Sequence, residues 1–271
     1  MSQTLLITYF FYGLAFFAMG IAMLLETGRS PALAEARSLR FLASFGMIHG
    51  THEWLESYLM QAQNAGTPLP AWLAWFRLAL LVSSFIALFL YAYVTLRLSS
   101  ARYQGHRLLH FGRLIAYMAL VVACVLVTYR GRPVQWVPLL DDMARYLLAV
   151  PAGALAGLAL YTQARKFRSE GRTPLAAPLR MAGFAFVIYA AAQLFVHSVP
   201  AFPAEYISQE RFVAMTGFPI QLVRTGAAII ITIGLIRGTQ LVEQERQAQL
   251  EQAHRARLEA LEERDSLRRD L

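Results

Sequence analysis

The sequence is short of the residues on which most soluble domains depend. Only 15% of its 271 residues are charged, against about 25% in an average soluble domain. So little charge excludes a disordered chain, which stays open through high net charge and low hydrophobicity. A single cysteine, Cys124, excludes a disulfide scaffold. Lysine is almost missing, and of 25 basic residues all but Lys166 are arginine. What remains is apolar: 57% hydrophobic, with a mean hydropathy of +0.43. The apolar stretches are long enough to span a bilayer, so the chain reads as an all-α integral membrane protein.

The net charge of +8 and a pI near 9.9 carry a membrane meaning. The arginines lie mostly between apolar stretches and in the C-terminal tail, where topology would put them. No aromatic residues interleave with them as on a nucleic-acid platform, so the expected partner is the lipid bilayer and no nucleic acid.

Seven apolar stretches can be read, at 4–25, 39–60, 71–96, 111–129, 143–163, 179–199 and 212–236. The first has no basic n-region and no A-x-A cleavage site, so it reads as a span. Turn residues mark the gaps: Gly28 to Pro31, Gly66-Thr67-Pro68, Gly131 to Pro133, Gly171 to Pro174 and Pro200 to Pro203. The segments 26–40, 97–113 and 163–180 hold twelve basic residues, and those on the other side hold four. The positive-inside rule then places the N-terminus outside and the C-terminus in the cytoplasm. Trp72, Trp75 and Trp136 fall near the outer ends, where interfacial aromatics sit well. The expected fold is a seven-transmembrane helix bundle over 1–238.

Beyond Ile236 the composition turns to Glu, Gln, Arg, Ala and Leu, without glycine or proline over 239–271. Such a segment favours helix. Leu250, Leu258, Leu261, Leu267 and Leu271 could face a partner, and Glu251/Arg255 and Asp265/Arg269 are favourable i,i+4 pairs. No unbroken heptad runs through it, so a coiled coil is suggested, with a solvated tail as the plainer reading. No breaker after Gly238 separates this helix from the seventh stretch. The tail therefore reads as a cytoplasmic signalling helix, a homodimer stalk leading to an output domain outside the chain.

The chemistry lies in the second stretch, Phe45-Gly46-Met47-Ile48-His49-Gly50-Thr51-His52-Glu53-Trp54-Leu55-Glu56. At 100° per residue, His49, His52, Glu53 and Glu56 share one face about 100° wide. Ionised groups at bilayer depth cost about 2.5–3.5 kcal/mol or more each, so this face must turn inward. Tyr189, Gln193 and His197 follow at i, i+4 and i+8 along the sixth stretch. Arg224 stands in the seventh with Gln221 one turn away and Pro219 just before it, a candidate kink. Arginine keeps its proton and needs an anion or a cavity, so Glu53 or Glu56 is its expected partner. Arg77 lies nearer the outer interface, where it could snorkel.

Imidazole and carboxylate suit zinc, copper or iron, and histidines on facing helices suit haem b. The candidate metal or haem ligands are His49, His52, Glu56 and His197, with Glu53, Arg224, Gln193, Gln221 and Tyr189 as ion-pair or supporting groups. The site also admits a pocket for an organic ligand, or a plain hydrogen-bond and ion-pair network with no ligand. His106, His110 and His254 read as headgroup or surface contacts, and Cys124 as a small apolar residue. Gly13, Gly20, Gly46 and Gly50 are suited to bring helices close.

The run Phe11-Tyr12-Gly13-Leu14-Ala15-Phe16-Phe17-Ala18-Met19-Gly20, then Leu25-Glu26, then His49-Gly50-Thr51-His52-Glu53-Trp54, carries a likeness. It resembles the N-terminal multi-pass sensor regions of bacterial histidine kinases and diguanylate cyclases. The resemblance implies a sensory input module in the bacterial inner membrane, with the catalytic output outside this chain. Two other classes are open: a seven-span metal hydrolase of the ceramidase type, and a haem-binding electron-transfer subunit. The hydrolase family's paired histidines of the last span have no match here.

Overall fold

The computed structural model describes residues 3–29, 34–99, 107–128, 130, 135–197 and 204–269, and side chains for most of them. Apart from one isolated bridge between Val196 and Ser208, all regular structure there is helical. The helices are α1 (Gln3–Arg29), α2 (Ala34–Asn64), α3 (Trp72–Ser99), α4 (Arg107–Thr128), α5 (Trp136–Ala144), α6 (Val150–Ser169), α7 (Thr173–Ala192), α8 (Gln209–Thr216) and α9 (Ile220–Arg269). A π-helical turn, Arg145–Ala149, joins α5 to α6. Pro151 begins α6 and has no N–H for the carbonyl four residues back, which is where a widened turn relieves the ladder.

Among the described residues, five helical rods are long and apolar enough to cross a membrane: α1, α3, the α5–α6 rod, α7 and α9. Helix α2 is as long as these, but its polar run from His49 to Glu56 dilutes its apolar character. Large apolar side chains such as Phe10, Leu14, Ile21, Phe184, Ile229 and Ile233 face outward. A surface this greasy suits lipid and is foreign to a soluble monomer.

The helices close into a ring. Helix α1 packs on α2, α2 on α3, α3 on α6, α6 on α7, α7 on α9, and α9 returns to α1. Small residues set the closest approaches, as expected where lipid removes the hydrophobic drive between helices. A Cβ on Gly50 would stand 2.6 Å from the Gly13 carbonyl oxygen, and one on Gly46 2.6 Å from that of Phe16. The four glycines of α1 and α2 thus form the seam expected from sequence. Gly157 and Gly183 do the same between α6 and α7, and Gly234 rests against the Pro178 carbonyl between α9 and α7.

Two boundaries differ from the sequence reading. The sixth stretch stops being helix at Ala192, not near 199, so His197 lies beyond it in irregular chain next to the bridge residue Val196. The seventh is split: α8 ends on Gly217 in the left-handed conformation (φ 81°), and Pro219 precedes α9 instead of kinking it. From there α9 runs 50 residues without a break, about 75 Å at 1.5 Å per residue. The tail is therefore one helix with the last apolar stretch. The Glu251–Arg255 pair forms at 3.8 Å on an exposed face, and Leu250, Leu258 and Leu261 are exposed. The side chains of Asp265, Arg269, Leu267 and Leu271, and those of His106 and His110, lie outside the described set. His254 and Cys124 are exposed, as read.

The seam is testable. Gly50→Leu should destabilise the detergent-solubilised protein by about 1–3 kcal/mol, because its Cβ meets backbone that cannot retreat. Gly226→Ala meets nothing within 4 Å and should be neutral or gain about 0.5–1 kcal/mol. Unfolding by titration with a denaturing detergent compares the two.

Candidate functional site

The spacing on α2 that aligns His49, His52 and Glu53 also turns them inward, because Gly46 and Gly50 pin the neighbouring face to α1. His49 and His52 are fully buried and Glu53 nearly so. His49 is ringed by Tyr12, Phe16, Phe45, Phe85 and Tyr189, with centroids 4.8–6.2 Å from its own. Its Nδ1 lies 3.1 Å from Ser84 Oγ, and the Ser84 hydroxyl donates to the Leu81 carbonyl at 2.7 Å. A hydroxyl has one hydrogen, so Ser84 must accept from His49. The proton of His49 is thereby placed on Nδ1 and the lone pair on Nε2. The Tyr12 and Tyr189 hydroxyls, at 3.1 and 3.3 Å, donate toward that lone pair.

Glu53 Oε1 lies 3.5 Å from His49 Nε2 and 3.4 Å from His52 Nδ1. Neither approach has hydrogen-bond geometry: Glu53 Oε1 and both ring nitrogens of His52 are without a hydrogen-bond partner. A buried polar atom left this way costs about 1–3 kcal/mol, and more when charged. The three residues offer ligand atoms within 4.8 Å of one another, a group that could hold a metal ion.

Beside this group runs an ion chain. Arg77 Nη1 donates to Glu56 Oε2 at 2.6 Å and to Asp141 Oδ1 at 2.7 Å. Arg145 Nε donates to Asp141 Oδ2 at 2.9 Å, and its Nη1 to Gln193 Oε1 at 3.0 Å. Arg224 Nη2 donates to the carbonyls of Ala192 (3.0 Å) and Phe195 (2.8 Å), so its charge caps the C-terminal end of α7. Gln221 donates to Tyr9 and Gln209, both at 2.9 Å.

Several expectations are corrected by this geometry. Arg224 does not pair with Glu53 or Glu56; it answers carbonyls freed by the early end of α7. Glu56 pairs with Arg77 and stands outside the close group of His49, His52 and Glu53. His197, past the end of α7, does not join His49 and His52. Arg77 is buried in the ion chain, not snorkelling. The His49 and His52 rings are stacked 5.8 Å apart at 14°, one turn apart on the same helix. Stacked rings cannot offer opposed nitrogens to the two faces of a haem, so a haem b held axially by this pair is not supported. Tyr189 and Gln193 do reach the core, each by its own contact.

The sequence reading missed Ser84, Asp141, Asp142 and Arg145, all buried. Its fifth stretch began at 143, leaving these acids in a loop. The signal was present as Asp141-x-x-x-Arg145, an i,i+4 pair that continues the apolar helix towards its N-terminus.

No family model matches the chain, and searches of curated proteins and of solved structures likewise return no match.

The ion chain predicts a definite pattern of coupling. Arg77→Met strands Glu56 and leaves Asp141 to Arg145 alone, and should cost about 3–5 kcal/mol. A double-mutant cycle with Glu56→Gln should return a coupling of about 0.5–3 kcal/mol. The cycle of Arg224→Leu with Glu53→Gln should be additive within about 0.5 kcal/mol, since no ion pair joins them.

Proposed function

We propose that the chain is the membrane-embedded sensory input module of a bacterial signal-transduction protein. In this reading seven spans, N-terminus outside, hold the polar core in the inner membrane. The core perceives a ligand, metal or redox change, and α9 transmits it through a helical stalk to a cytoplasmic output domain. The arginine distribution supports the orientation, and the likeness of 11–26 and 49–54 to sensor regions supports the class.

One observation carries the reading. Helix α9 is rooted in the polar core by Gln221 and Arg224, and the same unbroken helix continues to Arg269, with its side chains exposed over 247–262. A change at the root is therefore delivered along a single rigid element. Signalling then needs two packings of that helix separated by a few kcal/mol, which ligand binding can bias. The hydrolase and electron-transfer readings have less behind them. The histidines come from one helix, are sealed from solvent, and lack the partner histidine that His197 was expected to supply.

Stalk pairing in a homodimer is the direct test. Single cysteines placed along 240–262 in a Cys124→Ser background should crosslink in native membranes at positions recurring about every 3.5 residues. Arg224→Gln should shift which positions react most strongly. Absence of crosslinking at every position overturns the parallel stalk.

A further inference from the structure

We infer that His49 Nε2, His52 and Glu53 Oε1 bind one divalent first-row transition ion, of which zinc is the closest match in chemistry. Its role as a signal rests on the sensory reading above, whereas the binding itself does not.

The distances motivate the assignment. Zinc bonds of about 2.0–2.1 Å in tetrahedral array place neighbouring ligand atoms about 3.3–3.5 Å apart. Glu53 Oε1 sits 3.5 and 3.4 Å from nitrogens of the two imidazoles. Those spacings are long for hydrogen bonds and match two edges of a coordination tetrahedron, and all three ligand atoms lie within 4.8 Å of one another. The Tyr12 and Tyr189 oxygens stand 3.1 and 3.3 Å from the same His49 nitrogen, where a fourth ligand would come from.

The tautomer is also right. A ligating histidine commonly donates its other ring N–H to a fixed acceptor. Ser84, itself tied to the Leu81 carbonyl, is that acceptor for His49. The lone pair is left on Nε2, the nitrogen that faces Glu53, where an ion would replace the hydrogen bonds from Tyr12 and Tyr189.

The unpartnered atoms point the same way. Among the described residues of the core, most polar side chains have answered one another. Glu53 Oε1 and both nitrogens of the fully buried His52 have not. The pairing of charges adds a reason. The core holds three arginines, Arg77, Arg145 and Arg224, which keep their protons. Against them stand four carboxylates: Glu53, Glu56, Asp141 and Asp142. Glu56 and Asp141 are held by guanidinium groups, whereas Glu53 lies against two imidazoles, the neighbours with which a carboxylate can share a transition ion.

The test uses the full chain without a polyhistidine tag. Because the site is sealed, the protein is expressed in medium supplemented with zinc or with cobalt and purified with a chelator wash. Elemental analysis should find about one ion per chain, as for a closed zinc site. The cobalt form should show the strong visible bands of tetrahedral cobalt. His52→Gln and Glu53→Gln, both close in shape to the originals, should lose most of the metal while retaining helical content. Ser84→Ala, a positioning change, should bind the same ion about 10–100-fold more weakly. A folded, monodisperse wild type with substoichiometric metal overturns the site, as does full occupancy in both His52→Gln and Glu53→Gln. Metal bound with identical stalk crosslinks in loaded and metal-free protein upholds the site and defeats its role as signal. No metal with intact crosslinks defeats the site and spares the stalk.

Discussion

Arg77, Asp141 and Arg145 form the contact on which the remaining architecture depends. One carboxylate is held between two guanidinium groups, with each of its oxygens taken by a different arginine. Buried charges survive in a low-dielectric interior only where their partners and their remaining hydrogen bonds are supplied together. Here the supply comes from four directions: Glu56 from α2, Arg77 from α3, Asp141 and Arg145 from the α5–α6 rod, and Gln193 from the end of α7. The levels of these helices along the membrane normal are thereby fixed relative to one another. A one-turn slip of any of them, about 5.4 Å, would strand a charge. The π turn belongs to this account because it begins with Arg145, the second guanidinium of the ion chain.

Such a polar interior is tolerable only if the helices come close enough to exclude lipid from it. Leucine packing alone does not favour helix over lipid, so small residues take the role. The glycines of α1 and α2 bring the backbones into contact beside His49, and Trp54 closes the seam by donating to the Phe10 carbonyl at 3.2 Å. The result is an aromatic cage around an imidazole rather than a greasy core around a void. Packing and electrostatics are therefore not separate contributions. The close seam makes the site dry, and the dry site makes every pairing count.

How much of this could be read from the sequence follows the reach of each signal. Helical periodicity is local, so the inward face of α2 and the continuity of α9 were legible residue by residue. Glycines at 13, 20, 46 and 50 were legible as contacts because small residues in a span have few other uses. Partner choice is not local. Arg224 was matched with a glutamate because formal charge was the only criterion available, whereas the structure offers it two carbonyls at a helix end that periodicity had extended past Ala192. His197 failed for the same reason, since an i, i+8 argument holds only while the helix lasts. Asp141 and Arg145 were lost to a boundary drawn where apolarity rises, although a helix can begin two turns earlier when its polar residues face a polar core.

The two kinds of arginine in this core differ in what it takes to move them, and the difference bears on how a signal would travel. Arg77 and Arg145 are bound to carboxylates, and separating them leaves uncompensated charge on both sides. Arg224 is bound to neutral carbonyls at the end of α7, and other carbonyls freed at a helix terminus can replace those with little loss. The α7–α9 interface below it is built on small residues, with Gly234 against Pro178 and Gly238 near Leu179. A smooth seam of that kind permits a small slide or rotation without unlocking large side chains. Under the proposed role the ion chain on α2, α3 and α5 would be the fixed part of the bundle, and α9 with its root at Gln221 and Arg224 the adjustable part. A change of charge at His49, His52 and Glu53 would then act on the fixed part and be read out by the adjustable one. Tyr189 lies between them: it touches His49 and belongs to α7, the helix that Arg224 caps. Helix α1 offers a second route, since Tyr12 meets His49 at 3.1 Å and Tyr9, one turn away, accepts from Gln221 of α9 at 2.9 Å, so site and α9 are joined through both neighbouring helices and not along the backbone of α2.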